Sequence, residues 1–232
     1  MEVFFAQRPF VAFGASHLAV VILFALGVAA LVWLGRRLRG RPAARRVSRA
    51  MGAAIALLVV PIQVYWMLPG NWDVKSSLPF QLCDLACLAA AWALWSGQRW
   101  ACALSYYWGL TLTTQAIVTP ALTLDFPHLA FIAFWGMHLL VVWAAVWLVA
   151  GAGFRPAWAD FRFTAAATVA WGLCMLGFNS LTGANYLFVS AKPETASLLD
   201  ALGPWPWYLL SELAIGLAVW ALITWPWTRR AA

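Results

Sequence analysis

The sequence predicts an all-α, polytopic membrane protein with a single domain of seven transmembrane helices, and three observations support this fold class. Of the 232 residues, 64% are hydrophobic and 10% are charged, whereas soluble domains carry roughly 25% charged residues. The apolar residues form stretches near the length of about 20 residues that crosses hydrocarbon. A cluster of seven arginines separates the first two stretches; its members are Arg36, Arg37, Arg39, Arg41, Arg45, Arg46 and Arg49.

Turn residues delimit the apolar stretches in order along residues 1–232. The arginine cluster ends the first stretch, Pro69-Gly70 ends the second and Ser96-Gly97 ends the third. Thr119-Pro120 ends the fourth, and Gly151 ends the fifth. The third and fourth stretches are closely joined, so we expect a helical hairpin there. The predicted spans are about 13–35, 50–68, 79–96, 101–119, 127–150, 163–181 and 205–227.

The distribution of cations orients these spans. Cytoplasmic loops are enriched in arginine and lysine, so the arginine cluster is expected in the cytoplasm, with the N-terminus outside and the C-terminus inside. Twelve of the fifteen lysines and arginines then lie on the cytoplasmic side. Only Arg8, Lys75 and Lys192 lie outside. Apolar spans flank the cluster on both sides, which argues against a nucleic-acid partner, and the oligomeric state stays open.

Polar side chains within the predicted spans concentrate in the outer half of the bilayer. Such groups are costly in lipid and mark functional sites by default. We therefore predict a polar cavity open to the outside or to the outer leaflet; the alternative is that these groups only join helices by hydrogen bonds. The predicted lining residues are Gln81, Cys83, Asp84, Gln115, His138, Asn179 and Glu212.

Cys83 is the candidate nucleophile. Ser76, Ser77 and Pro79 are typical of a helix cap and first turn, which would place Cys83 near a helix N-terminus that favours a thiolate. His138 is the candidate base, oriented by a carboxylate. Helical rise separates the two in depth by about 10 Å, so a bound water or another base could be needed. The alternative is a cysteine that only packs.

Asp84 and Glu212 support a different class of function, a carrier, receptor or sensor for a small external solute. No span contains a lysine or arginine to pair with either carboxyl group, so each must be protonated, hydrogen-bonded or hydrated. The four cysteines show no zinc spacing, and we expect neither a metal nor a cofactor.

A long external loop covers about residues 182–204. Asn185 follows Gly183, which is expected to end the sixth span, and Ser197 and Asp200 have the spacing of a capped short helix. The loop could simply plug the outer mouth, or Lys192 could make it a lid that attracts an anionic headgroup.

Several motifs together resemble the YwaF-like family of bacterial integral membrane proteins, over about residues 60–215. That family is similar to the eukaryotic transmembrane protein 164, which is implicated in moving acyl chains onto lysophospholipids through a cysteine. The motifs are Leu78–Cys83, Tyr106–Leu110, Thr114–Ala116, Pro127-His128 with Phe134 and His138, Asn185–Phe188, Ser197–Asp200 and Gly203–Tyr208.

The resemblance implies a multi-pass protein of the bacterial inner membrane that acts on membrane lipids. By motif position it matches Cys83 to the acyl-carrying cysteine, with His138 as the natural base, and Gln115 and Asn185 could line the same site. The leading hypothesis is therefore a lipid acyltransferase or lipid ester hydrolase. The alternative is the carrier, receptor or sensor with Asp84 and Glu212 as titrating groups.

Overall fold

A computed structural model describes residues 8–120, 122–193 and 197–229. The described part is all-helical and contains no strand, although an isolated antiparallel bridge joins Pro9 to Leu124. The helices are α1 (Ala15–Leu38), α2 (Pro42–Met67), α3 (Leu82–Ser96), α4 (Arg99–Leu110), α5 (Leu112–Val118), α6 (Leu129–Ala150), α7 (Trp158–Thr182) and α8 (Trp207–Thr228).

Five of these helices are long and apolar enough to cross a membrane, namely α1, α2, α6, α7 and α8. The third, α3, is apolar but has only 15 residues. The helices confirm the all-α membrane class, whereas the number of seven spans and the direction of the termini stay predictions. We call the end of the bundle that carries the arginine cluster the arginine end, and the opposite end the loop end.

The third helix begins later than the sequence pattern indicated. Gln81 is its N-cap, and the Asp84 carboxylate accepts the Gln81 backbone N–H at 3.1 Å. Ser77 was expected to cap this helix, but its hydroxyl accepts the backbone N–H of Asp73 and donates to the carbonyl of Asn71. The prediction of a cap at Ser76 or Ser77 was therefore wrong, because the preceding turn uses the hydroxyl.

The fourth apolar stretch was expected to be one helix, but it is broken at Thr111 into α4 and α5. Threonine hydroxyls around the break bond to backbone carbonyls of α4. Thr111 donates to Tyr107 at 2.6 Å, and Thr113 donates to Trp108 at 3.2 Å. These bonds satisfy carbonyls that a continuous helix would otherwise pair, which makes a break tolerable within a membrane.

Small residues bring the central helices α3, α4 and α6 close together. Ala90, Ala101 and Ala144 are completely buried. A Cβ added to Gly109 of α4 would lie 3.0 Å from the Cβ of Ala145 in α6. Close backbone approach through small residues is the usual way in which membrane helices associate. The central helices form the core against which the others pack.

Polar side chains attach the arginine-end half of α8 to α4. Tyr107 shares a hydrogen bond of 2.6 Å with Thr224, and Tyr106 donates to the carbonyl of Ile223 at 3.0 Å. Trp220 donates from Nε1 to Thr111 Oγ1 at 2.9 Å. We call these contacts the α4–α8 clasp. The clasp fixes one half of α8 and thereby positions the cleft described below.

Candidate functional site

An apolar cleft of about 250 Å³ lies between α7 and α8. Leucines from both helices form its walls. Leu82 of α3 and Leu112 of α5 also line the cleft, beside the α4–α8 clasp residue Trp220. The cleft therefore extends from the clasp toward the loop end and reaches the first turn of α3.

Two glycines give the cleft its width. Gly172 of α7 and Gly216 of α8 both line it. A Cβ added at either position would have no heavy atom within 4 Å, so no side chain of the described residues fills this space. The space between the two helices is thus available to a ligand.

Glu212 is the ionisable side chain that lines the cleft. It is half-buried, and it makes no hydrogen bond or ion pair with any described residue. The hydroxyl of Thr168, also in the lining, is already bonded, since it donates to Thr164 and accepts from Trp108. Glu212 therefore contributes the free polar group of the cleft.

The loop between α7 and α8 supplies the loop-end wall of the cleft through Leu187 and Val189. Asn179 of α7 holds this segment with two hydrogen bonds to the backbone of Tyr186. Its amide nitrogen donates to the Tyr186 carbonyl at 2.9 Å, and its amide oxygen accepts the Tyr186 N–H at 3.0 Å. Asn179 thus fixes the position of the loop segment that forms this wall of the cleft.

The Tyr186 side chain is completely buried under the same segment. Its hydroxyl accepts the N–H of Leu78 and donates to the carbonyl of Val74, both at 3.0 Å. Burial raises the pKa of Tyr186 above its ordinary value. The hydroxyl therefore keeps the proton that it donates, and it ties the loop to the segment before α3.

Gln81 joins the start of α3 to the cleft wall. Its side-chain oxygen accepts the backbone N–H of Leu187 at 2.9 Å. Leu187 and Phe188 both adopt left-handed backbone conformations, with φ of 61° and 54°. Residues other than glycine rarely adopt this conformation. Tyr208 of α8 donates to the Phe188 carbonyl. Gln81 and Tyr208 thus hold this turn from two sides.

The rest of the loop is fixed by its own polar groups. Asn185 donates to the carbonyl of Ala191 at 2.9 Å and accepts the Ala191 N–H at 3.1 Å. Asp200 accepts the N–H of Ser197 at 2.9 Å, which is one of the two bonds of the predicted capping pair, whereas the Ser197 hydroxyl has no partner among the described residues. Lys192 pairs with Asp200 at 3.7 Å. The described part of the loop is thus held by hydrogen bonds, and the Lys192 ammonium is directed to a carboxylate of the chain.

Cys83 is the second residue of α3 and directly follows the cleft residue Leu82. Its thiol is half-buried and makes no hydrogen bond with a described residue. Asp84 directs its carboxylate to the N-cap of its own helix. Cys83 is thus next in sequence to a residue that lines the cleft but is not itself part of the lining, and the neighbouring Asp84 carboxylate is bonded to the start of α3.

His138 is buried in α6, and its tautomer follows from its hydrogen bond. Nδ1 lies 2.7 Å from the carbonyl oxygen of Phe134. A carbonyl only accepts, so Nδ1 carries the proton and Nε2 of the neutral ring keeps its lone pair. No hydrogen bond among the described residues joins His138 to Cys83.

The helix register places His138 near the depth of the cleft floor. Gly109 of α4 packs on Val141 and Ala145 of α6. His138 lies one turn from Val141 toward the loop end, and α4 and α6 run in opposite directions, so the histidine is level with the break at Thr111. Leu112, directly after the break, lines the cleft.

The sequence matches the TMEM164 family over residues 12–224. The chain belongs to the TMEM164 family. No curated protein and no solved structure matches it. The membership confirms the distant similarity to transmembrane protein 164, whereas the assignment to the YwaF-like family stays a prediction.

In this TMEM164-family protein the predicted site residues fall into three groups. Glu212 lines the cleft, and Cys83 directly follows the lining residue Leu82 in the chain. Three residues bind the backbone of the loop, namely Gln81, Asn179 and Asn185. The remaining residues lie elsewhere: Asp84 caps α3, His138 is buried in α6, and the Gln115 amide of α5 makes no side-chain hydrogen bond with a described residue.

Sequence reasoning missed the two glycines that open the cleft of this TMEM164-family protein. Gly172 and Gly216 stand in otherwise bulky apolar helices, and this contrast was the available signal. The pairing of α7 with α8 could not be read from one sequence, so the two positions were not connected. No group of three or more His, Cys, Asp or Glu side chains suited to a metal occurs among the described residues.

Proposed function

We propose that this protein is a lipid acyltransferase or lipid ester hydrolase that holds an acyl chain in the α7–α8 cleft and uses Cys83 as nucleophile. The observation that carries the proposal is the position of Cys83 in the chain, directly after Leu82, a residue in the wall of an apolar cleft. The lipid substrate class is proposed from the similarity to transmembrane protein 164, whose family this chain belongs to.

The shape of the cleft suits a substrate that arrives within the membrane. Leu173 and Leu210, which line the cleft, are 65% and 55% exposed on helices that suit the bilayer. A lipid chain can therefore pass sideways between α7 and α8 without leaving hydrocarbon. The space beside Gly172 and Gly216 would hold the chain, with its ester directed toward the loop end.

In the proposed reaction the Cys83 sulfur attacks the carbonyl carbon of a lipid ester. A carbon–sulfur bond forms and the ester carbon–oxygen bond breaks, which gives a thioester and an alcohol. His138 Nε2 takes the thiol proton, directly or through a water, and returns it to the leaving alkoxide. The hydroxyl of a lysolipid then attacks the thioester in acyl transfer, and water attacks it in hydrolysis.

Gln81 is the proposed donor to the oxyanion of this reaction. Its side-chain oxygen is bonded to Leu187, whereas its Nε2 has no partner among the described residues. The bond to Leu187 fixes the amide plane two residues before Cys83. A donor held in this way contributes about 3–4 kcal/mol of transition-state stabilisation in acyl transfer. Gln115, in α5 of the fourth stretch, is the second candidate for this donor.

The proposal includes the topology. Seven spans arise when α3 crosses as a short helix and when α4 and α5 together form one crossing. The arginine end is then cytoplasmic and the cleft opens in the outer leaflet. We assign the protein to the bacterial inner membrane from its resemblance to the YwaF-like family of bacterial proteins.

A cleft-filling variant tests the proposal. Gly216→Leu adds a side chain where an added Cβ meets no atom within 4 Å, so we expect an intact fold and loss of acyl transfer to a lysophospholipid in reconstituted vesicles. Gly177→Leu is the matched control, because Gly177 is equally unobstructed but lies outside the α7–α8 cleft. Equal activity of the two variants would contradict substrate binding in the cleft.

A carrier or sensor is the second candidate function, and Glu212 is the observation that favours it. An unpaired carboxyl group in an apolar cleft can take up a proton or a cation. The α4–α8 clasp closes the cleft toward the arginine end, which argues against transport. Uptake into proteoliposomes that requires a pH gradient and disappears in Glu212→Gln would favour the carrier over the enzyme.

A further inference from the structure

We propose that the arginine end carries a binding surface for anionic phospholipid headgroups, separate from the cleft. We call this surface the arginine face. It consists of six exposed side chains at the junction of α1 and α2: Arg36, Arg37, Arg41, Arg45, Arg46 and Arg49.

No described acidic residue forms an ion pair with the arginine face. The ion pairs of the described residues join Arg99 to Asp160 and Lys192 to Asp200, and neither involves the arginine face. Arg39, the seventh arginine of the cluster, is excluded because its guanidinium donates to the carbonyls that end α6, with Nε 3.2 Å from the oxygen of Ala150. Six cations thus stand together without an ion pair to any carboxylate that the structure describes.

The local backbone adds to this positive potential. The second helix begins at Pro42, its first turn contains no acidic residue, and no side chain caps it. Its positive dipole end therefore coincides with Arg45 and Arg46, an arrangement that is unfavourable without an anion. A bound phosphate would offset the positive charge of these side chains and of the helix end.

Tryptophans place the arginine face at the depth of lipid headgroups. The guanidinium carbon of Arg37 lies 4.1 Å from the ring centroid of Trp33, and that of Arg49 lies 5.5 Å from Trp95. Both rings are 54% exposed at the ends of apolar helices, where tryptophan marks the membrane interface. A guanidinium held there can pair with a phosphate by two parallel hydrogen bonds.

These contacts favour a lipid over a nucleic acid as the occupant. The arginine face begins in the last turn of α1, a helix that is apolar enough to cross a membrane, so its cations lie against the bilayer surface. A phosphodiester with net negative charge, such as that of phosphatidylglycerol, offers the phosphate at that depth. A zwitterionic headgroup carries its own cationic group, and the unpaired arginines repel that group.

Native mass spectrometry of the purified protein in an equimolar mixture of phosphatidylglycerol and phosphatidylcholine tests this proposal. We expect wild type to retain phosphatidylglycerol preferentially. Because a basic residue near the membrane surface contributes roughly fivefold in affinity, Arg45→Gln with Arg46→Gln should reduce the preference roughly 25-fold. The matched control, Arg8→Gln with Lys75→Gln, removes the same amount of charge at the loop end and should keep the preference for phosphatidylglycerol.

Three results would overturn the proposal. The first is an equal preference in the two double variants. The second is a phosphatidylglycerol preference of wild type that is independent of salt, a measurement that needs no variant. The third is an oligonucleotide that displaces the lipid at equal phosphate concentration, which would assign the arginine face to nucleic acid.

Discussion

Gln81 connects two parts of the chain that are 106 residues apart, the start of α3 and the turn at Leu187. We expect Gln81→Ala to lower the free energy of unfolding by about 1–2 kcal/mol, because it leaves the Leu187 N–H without an acceptor in a left-handed turn. Gln115→Ala is the control, since that amide makes no hydrogen bond with a described residue, and it should cost less than about 0.5 kcal/mol. Equal changes in thermal unfolding in detergent would refute the role of Gln81.

The Tyr186 hydroxyl offers a second test at the residue scale. Tyr186→Phe keeps the buried ring but removes the bonds to Leu78 and Val74. The expected cost is about 1–3 kcal/mol, because a buried N–H and a carbonyl lose their partner. Tyr65→Phe is the control, since Tyr65 is 51% exposed and its hydroxyl has no bond in the described structure. If the two variants unfolded at the same temperature, the loop would not depend on this contact.

The α4–α8 clasp sets the behaviour of one element, the last helix. Tyr107 and Thr224 share a buried hydrogen bond, so a double-mutant cycle of Tyr107→Phe and Thr224→Val should show a coupling of about 0.6 kcal/mol, the average for such bonds in membrane proteins. Thr228→Val replaces Thr224→Val as the control, because Thr228 bonds only within α8. A coupling of zero for Tyr107 with Thr224 would mean that this hydrogen bond does not help to hold α8 against α4.

Sequence patterns located the helices better than their ends and breaks. The predicted start of the sixth span at 163 and the observed start of α7 at Trp158 differ because Asp160 accepts the Ala157 N–H and pairs with Arg99. Hydropathy counts such charged residues as lying outside the membrane. The break at Thr111 was missed because threonine is also common in intact membrane helices. The start of α7 and the break at Thr111 both depend on hydrogen bonds of polar side chains, which the hydrophobic periodicity of a sequence does not reveal.

The candidate site was less predictable than the helices for the same reason. The sequence marked Asn179 and Asn185 as unusual, but their partners are backbone groups of the loop, whose path a single sequence does not specify. The cleft is a space between helices, and its glycines, Gly172 and Gly216, acquire meaning only when α7 and α8 are adjacent. The sequence therefore showed which titratable residues lie within the helices, but not which groups surround them in the fold.

The orientation of the whole molecule is tested by labelling from either side of the membrane. The proposed topology predicts that Arg46→Cys reacts only from the cytoplasm and Ser190→Cys only from outside, each in a background lacking the exposed Cys174. Both positions are exposed, so accessibility within the protein does not limit the reaction. The reverse pattern would invert the bundle and move the cleft to the inner leaflet.

The central claim is that a lipid acyl chain bound in the cleft is transferred to Cys83. Intact-mass analysis of the purified protein after exposure to a phospholipid tests it most directly. We expect wild type to gain the mass of one acyl group, lost on treatment with hydroxylamine, and Cys83→Ala to gain none. His138→Ala should gain it more slowly, and Cys87→Ala, which changes a buried neighbour on α3, should keep the adduct. An unmodified wild type, or an adduct that persists in Cys83→Ala, would contradict the account.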